Sequence, residues 1–307
     1  MSSIVRKILV SGGSGLLGTA LRQALAARGA EVLQMVRRQP VSGEEVKWDP
    51  EAPSPVADLG ALEGATVAIH LSGSNVAGHR WTPAFKQEIR RSRAESTRAL
   101  ANMLAGLRQP PQPLLVASAS GIYGDRKDEI LDEQSLPGKG FLAEICQEWE
   151  AAALPAVEAG IRVVHLRFGV VLTPGGGALG KMLPLFRLGL GGRLGSGKQW
   201  MSWISLADAV AAILFAMDAA SLAGPLNLTA PEPVTNAQFT RALARAVHRP
   251  AILPAPAIAL RIFVGEMANE ALLASERAVP AKLIAAGFQF AHPTVDEALA
   301  AVLKTRK

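Results

Sequence analysis

The chain has 307 residues, 49% hydrophobic and 19% charged, a balance that excludes a disordered or fibrous protein and leaves room for one large α/β domain or two modest ones. The net charge is +6, but the arginines are spread out with little aromatic interleaving, so a nucleic acid is not expected as partner. The single cysteine, Cys146, excludes a disulfide framework and fits a reducing, cytoplasmic setting, while the glycines that break the N-terminal apolar run argue against a leader or a spanning helix.

From residue 4 to about 170, short apolar runs read as strands: IVRKILVSG, EVLQMVRR, TVAIHLSG, PLLVASAS and IRVVHLRFGVVL. Helix-period stretches such as LLGTALRQALAARG, closing on Gly29, and FLAEICQEWEAAALPAVEAG lie between them. This alternation predicts an α/β fold, a Rossmann-type doubly wound parallel sheet. Past Val171 the texture changes. The stretch TPGGGALGKMLPLFRLGLGGRLGSGKQW (173–200) is glycine-rich and basic, with little helix or strand signal. WISLADAVAAILFAMDAA then reads as a helix, PLNLTA as a strand, and 231–307 as helices punctuated by prolines. The apolar stretches here carry Asp208, Asp218, prolines and Arg261, so buried or interface helices are expected rather than a membrane. The expected organisation is a dinucleotide-binding domain of residues 1–172 and 201–230, with a smaller, mainly helical lobe of 173–200 and 231–307.

The first strand runs into ILVSGGSGLLGTAL, with glycines at 12, 13, 15 and 18. Gly13, Gly15 and Gly18 satisfy G-x-G-x-x-G; Gly12, Gly15 and Gly18 satisfy G-x-x-G-x-x-G. In a strand–turn–helix setting such a turn lets the backbone touch a pyrophosphate, and the helix N-terminus offers N–H groups around Leu16 and Leu17. The second strand ends in Arg37 and Arg38, where an NAD site usually carries an acid. A guanidinium there suits an adenosine 2′-phosphate, which points to NADP(H). HLSG, with Leu71, Ser72 and Gly73 at a strand end, is a further backbone approach to the cofactor.

These motifs resemble the extended short-chain dehydrogenase/reductases, and within them the atypical "epimerase family" proteins sometimes described as cell-division inhibitors. The likeness runs nearly end to end, through GGSGLLGTAL, HLSGSNVAGHRWTPAFKQEIRRSR, FLAEICQEWEAAA, LRFGVVLTPGGGALGKMLPLFRLGLGGRLGSGKQWMSWISLAD, LNLTAPEPVTNAQF and PAKLIAAGFQF. The resemblance implies NADP(H) binding, with Val36 and Arg37 at the 2′-phosphate and Leu71, Ser72, Glu88, Arg93 and Val170 as further cofactor positions. On the residues alone, Glu88 and Arg93 read equally well as a solvated helix face.

SASGIYGDRKDE (118–129) holds the single tyrosine, Tyr123, and Lys127 four residues later, the Tyr-x-x-x-Lys spacing of the short-chain dyad. Gly121 and Gly124 disfavour a helix here, so a loop is expected, with the two side chains not on one face. The helix that should carry the dyad reads Phe141, Ile145 and Trp149, an apolar stripe. Ser120 and Tyr123 remain as candidate catalytic groups, Ser118 is placed with the cofactor, and Cys146 reads as a buried small residue. Lys181, Arg187, Arg193 and Lys198 would suit an anionic substrate or a solvated loop. The five histidines (70, 79, 165, 248, 292) are scattered, so no metal is expected. The expected function is that of an NADP(H)-dependent oxidoreductase-like protein moving a hydride to or from a carbonyl or alcohol; the alternatives are a non-catalytic NADP(H) sensor or scaffold and a nucleotide-sugar epimerase with unusual acids. The expected partners are a small-molecule substrate and a second copy of the chain in a homodimer.

Overall fold

A computed structural model describes residues 6–304; Ile4 and Val5 of the first expected strand lie outside them. In chain order the first half runs β1 (Lys7–Ser11), α1 (Leu16–Ala27), β2 (Glu31–Val36), β3 (Glu45–Lys47), β4 (Val67–His70), α2 (Pro83–Arg90), α3 (Ser96–Ala105) and β5 (Leu114–Ala119). It continues through β6 (Ile130–Leu131), α4 (Phe141–Ala151), α5 (Leu154–Glu158), β7 (Val163–Phe168) and β8 (Val170–Leu172). The second half comprises α6 (Gly177–Arg187), β9 (Trp200–Met201), β10 (Trp203–Ser205), α7 (Leu206–Asp218), β11 (Gly224–Leu228) and β12 (Val234–Thr235). Last come α8 (Asn236–Ala246), α9 (Ala257–Val264), β13 (Arg277–Ala278), α10 (Ala281–Ala285) and α11 (Val295–Lys304).

Seven strands pair in parallel in the order β11-β7-β5-β4-β1-β2-β3. The strands alternate between two cores because successive side chains point to opposite faces. Ile8 and Val10 of β1 join Leu21 and Leu25 of α1 and Ile213 of α7 on one face. Leu9 joins Leu100 and Leu104 of α3 and Trp149 of α4 on the other. This is the expected Rossmann-type sheet, and β1 and β4 mark the point where strand order reverses, the usual ligand crevice of such sheets.

A third core gathers Leu179, Leu183 and Phe186 of α6 with Trp203, Phe239, Leu243 and Leu299. The helix α6 falls within 173–200, where the sequence carries little helix or strand signal. Gly177, Gly180 and Pro184 hide it from propensity, yet its apolar residues fall at helical spacing and packing against α8 and α11 holds it. The run IRVVHLRFGVVL divides at Gly169 into β7 and β8, and β8 pairs with β10 away from the main sheet. A Cβ on Gly169 would lie 2.7 Å from the Ser202 carbonyl oxygen, so glycine lets the chain change sheets there. Finally, β13 pairs in parallel with β6, laying the C-terminal lobe against the loop after β5. No helix among the described residues is long and apolar enough to cross a membrane.

Candidate active site

The glycine turn sits between β1 and α1 as expected. Gly12 has φ +72°, and a Cβ there would lie 2.6 Å from the Leu71 carbonyl carbon, so this glycine brings the turn against the end of β4. A Cβ on Gly18 would lie 2.2 Å from the Gly12 carbonyl oxygen, so Gly18 lets α1 pack under the turn. Gly15 differs. It caps α1 with φ −71°, and its Cβ would come no nearer than 3.4 Å to any neighbour, the Gly12 carbonyl oxygen. No side chain caps α1, so its first N–H groups are free for an anion. Leu17 packs into the core below and Leu16 against Gly176, so what they can offer a cofactor is backbone N–H, not side chain.

A groove of about 520 Å³ runs over this turn, lined by Gly12, Gly13, Gly15, Val36, Arg37, Arg38, Leu71, Ser72 and Gly73 among others. The two arginines that close β2 are not equivalent. Arg38 forks onto Glu45, with Nη1 donating to Oε2 at 2.8 Å and Nη2 to Oε1 at 2.5 Å. This pairing pulls the Glu45 carboxyl below its ordinary range. Arg37 is exposed and has no partner among the described residues. Of the two, Arg37 is thus the one whose guanidinium is left uncommitted along the groove.

Glu88 and Arg93 part company: Glu88 is exposed, as a solvated helix face would be, while Arg93 is drawn inward. Glu88 accepts from Ser74 Oγ at 2.9 Å and borders a small cavity shared with Arg37. Arg93 lies in a π-helical turn, Arg91–Glu95, between α2 and α3. Its guanidinium donates to the Ser74 carbonyl at 2.9 Å and packs over the Trp149 ring at 5.0 Å. Burial pushes its pKa down, and no carboxylate pairs with it among the described residues. A Cβ on Gly73 would meet this guanidinium at 3.4 Å, so Arg93 stands directly beneath the groove's wall.

Arg93 also borders an inner cavity of about 330 Å³. Its walls are mostly apolar, with Leu142, Ile145 and Trp149 of α4, Val170 of β8, Met182 of α6 and Phe239 of α8. Its polar groups are few: Ser120, Gln199, Ser202, Asn236 and Glu276. None of Lys181, Arg187, Arg193 and Lys198 lines it, and Lys181 instead donates to the Ala77 carbonyl at 2.9 Å. The apolar stripe of α4 is confirmed: Phe141, Ile145 and Trp149 are all buried. Burial pushes the Cys146 thiol up to about 12, which keeps it protonated and unreactive.

The structure corrects the assignment of Tyr123. The tyrosine ends a single 3-10 turn, Ser120–Tyr123, and is fully buried. Its hydroxyl donates at 2.8 Å to the Asp132 carbonyl or to Asn227 Oδ1, and accepts from Arg167 Nη1 at 3.0 Å. It does not line the cavity, and burial drives its pKa upward. Lys127 is exposed at φ +56° and pairs with Asp125, so the two residues form no dyad. Ser118 is corrected too: its Oγ is turned to Glu150 Oε1 at 2.8 Å, within the buried Arg167–Glu150 ion pair. Ser120 does reach the cavity, and its Oγ donates to Glu276 Oε2 at 2.8 Å. Sequence reasoning missed Glu276. It stands just before a two-residue strand, with no motif around it. No cluster of potential metal ligands occurs among the described residues.

A parallel sheet wound on both faces, with a glycine turn at its switch point and, at the end of the neighbouring strand, an arginine unpaired among the described residues, defines a Rossmann-type protein built around a dinucleotide crevice. The chain belongs to the NAD dependent epimerase/dehydratase family, whose model matches residues 8–228. Residues 255–302 match a second family, a domain of unknown function (DUF1731). An epimerase family protein of Mycobacterium tuberculosis (strain CDC 1551 / Oshkosh) is 49% identical over 292 residues, 95% of this chain and 96% of that protein. The epimerase family protein SDR39U1 of Homo sapiens is 37% identical over 297 residues, 95% of this chain and 98% of that protein. The crystal structure of human SDR39U1 (isoform2) with NADPH superimposes with a TM-score of 0.89 at 34% identity, covering 97% of this chain and 99% of that one. A nucleoside-diphosphate sugar epimerase from Corynebacterium glutamicum gives a TM-score of 0.79 at 35% identity, covering 98% of this chain and 58% of that one.

Proposed function

We propose that this chain is an NADP(H)-dependent oxidoreductase acting on a compact, largely apolar carbonyl or alcohol. The observation that carries the reading is the pairing of two compartments across Arg93: a groove of mixed polarity bordered by Arg37, and a mostly apolar cavity beside it. The groove suits the coenzyme on its own residues. Gly15 is open where a pyrophosphate would rest, α1 presents free N–H groups, and Arg37 offers a fork for a 2′-phosphate. The solved human relative with NADPH supports the same choice. When bound, the coenzyme supplies or accepts the hydride.

The chain's own residues then position the other reactant. The apolar walls exclude water, and Gln199 and Asn236 give the cavity a few polar anchors. Arg93 is the single cation of the lining, and it is committed to Ser74, Ile89 and Trp149. A nucleotide sugar brings a diphosphate and a nucleoside, for which a cavity of about 330 Å³ with so little positive charge is poorly suited. This argues for a small neutral substrate over the epimerase reading and over an anionic substrate. The test is a panel of aldehydes and ketones, graded in size and charge, followed by NADPH consumption with the purified protein. Preferential turnover of small neutral carbonyls is expected. NADPH binding without turnover of any carbonyl would favour a sensor, and no NADPH binding would defeat the reading altogether.

A further inference from the structure

We propose that Ser120 and Glu276 together deliver the proton at this site, in place of the tyrosine that the fold has sealed in its core. The inference rests on the oxidoreductase reading above. Ser120 begins the turn after β5, and its Oγ lies 2.8 Å from Glu276 Oε2. Both residues line the inner cavity. The second carboxyl oxygen, Oε1, lies 4.0 Å from where a Cβ on Gly121 would stand, so a longer side chain at 121 would crowd that edge.

The carboxyl has no ion-pair partner to account for it. The other sequestered carboxylates each serve the fold, since Glu150 pairs with Arg167, Glu133 accepts from the backbone N–H groups of Asn227 and Lys282, and Asp208 from those of Ala291 and His292. Glu276 has no salt bridge among the described residues, and a carboxyl placed in a mostly apolar cavity without an ion-pair partner is costly unless it stays neutral. Its backbone is nevertheless held from several sides. Its N–H donates to the Trp200 carbonyl at 3.1 Å and its carbonyl accepts from Ser202 Oγ at 2.9 Å. The preceding Ser275 is clamped by the loop that follows Tyr123, its carbonyl accepting from the Arg126 N–H at 2.9 Å and its Oγ donating to the Lys127 carbonyl at 2.6 Å. The GDRK loop thus holds the segment that carries the acid.

The charged and titratable groups around Glu276 are Asp125 from that loop, Cys146 from α4, Arg93 across the cavity, and Arg277 next in sequence, stacked on Trp200 at 4.1 Å. Burial pushes the carboxyl up to about 7, against the pull of the Ser120 hydrogen bond, and Asp125 adds to the rise. The group therefore exchanges its proton near neutral pH, which suits a general acid. In the reducing direction the carbonyl carbon gains the hydride, and its oxygen takes the Ser120 Oγ proton. Ser120 regains a proton from the Glu276 carboxyl, which water then reprotonates. The sum is carbonyl plus NADPH plus one proton giving alcohol plus NADP⁺. In reverse, the Glu276 carboxylate receives the alcohol's proton through Ser120.

The experiment compares wild type with Ser120→Ala, Glu276→Gln and Glu276→Asp. It measures NADPH affinity, turnover of the best carbonyl of the panel, the pH profile of kcat/KM, and the infrared carboxyl band that Glu276→Gln removes. Loss of a general acid should lower kcat by about a hundred-fold or more in Ser120→Ala and Glu276→Gln. NADPH affinity should stay within about two-fold, a change of about 0.4 kcal/mol. Wild-type reduction should fall as pH rises through about 7, Glu276→Gln should lack that limb, and Glu276→Asp should regain part of the rate. The infrared band should show the carboxyl losing its proton near the same pH, with or without coenzyme. Normal turnover by both variants, an unchanged pH limb in Glu276→Gln, or a carboxyl already ionised at about pH 5 would overturn the donor pair alone. Failure of the wild type to reduce any carbonyl would overturn the oxidoreductase reading and the donor role with it.

Discussion

Replacing Arg37 with alanine should convert an NADPH-preferring groove into an indifferent one. Arg37, just past β2, has no partner among the described residues, while Arg38 is held in a two-pronged contact with Glu45 and cannot take its place without breaking that pair. A hydrogen bond to a charged group contributes about 1.5–3 kcal/mol, which corresponds to roughly ten- to hundred-fold in affinity. Arg37 is exposed, so solvent and salt screen the contact and the lower end, about ten-fold, is expected at physiological ionic strength. NADH lacks the 2′-phosphate, so its affinity should change by less than about two-fold, or about 0.4 kcal/mol. Calorimetric titration of wild type and Arg37→Ala with both coenzymes, at low and at physiological salt, measures the difference directly. The NADPH preference should also narrow as salt rises. Equal affinities for the two coenzymes in the wild type, or a variant that weakens both alike, would refute the assignment of Arg37.

Gly15→Val should abolish NADPH binding while leaving the unfolding transition nearly intact, because its φ is already negative and its Cβ has space on the groove side alone; Gly18→Ala, which drives a Cβ into the Gly12 carbonyl, should instead destabilise the fold. A folded Gly15→Val that still binds NADPH would show that the pyrophosphate rests elsewhere. Tyr123→Phe leaves Arg167 and one of the two acceptors, Asn227 Oδ1 or the Asp132 carbonyl, short of a buried partner, and should cost about 1–3 kcal/mol in denaturant unfolding without a specific loss of kcat. Loss of turnover at unchanged stability would return the tyrosine to the chemistry. Lys127→Ala touches an exposed pair with Asp125 and should change stability by no more than about 0.5 kcal/mol, with NADPH affinity unaltered in the same titration.

Much of the crevice was legible in the amino-acid order because its signals are local. A glycine turn between an apolar strand and a helix places N–H groups at a helix end whatever the rest of the chain does, and a residue at the end of β2 must stand beside that turn in a parallel sheet. The alternation of apolar strand runs with helix-period stretches foretold a parallel sheet covered on both faces, and Ile8, Leu9 and Val10 do divide between two cores. The flanking glycines of YGDRK foretold that Tyr123 and Lys127 would not share a helix face. Tertiary structure decided the rest. Whether Arg37 or Arg38 is free depends on Glu45, in a short edge strand with no sequence signal of its own. Whether Tyr123 faces the cavity or the core depends on Asn227, 104 residues away. The carboxyl in the cavity arrives from 156 residues beyond Ser120, beside a two-residue strand too short to carry any period. A pairing of that kind is set by how the C-terminal lobe packs on the sheet, a property of the assembled cores and of no single stretch of the chain.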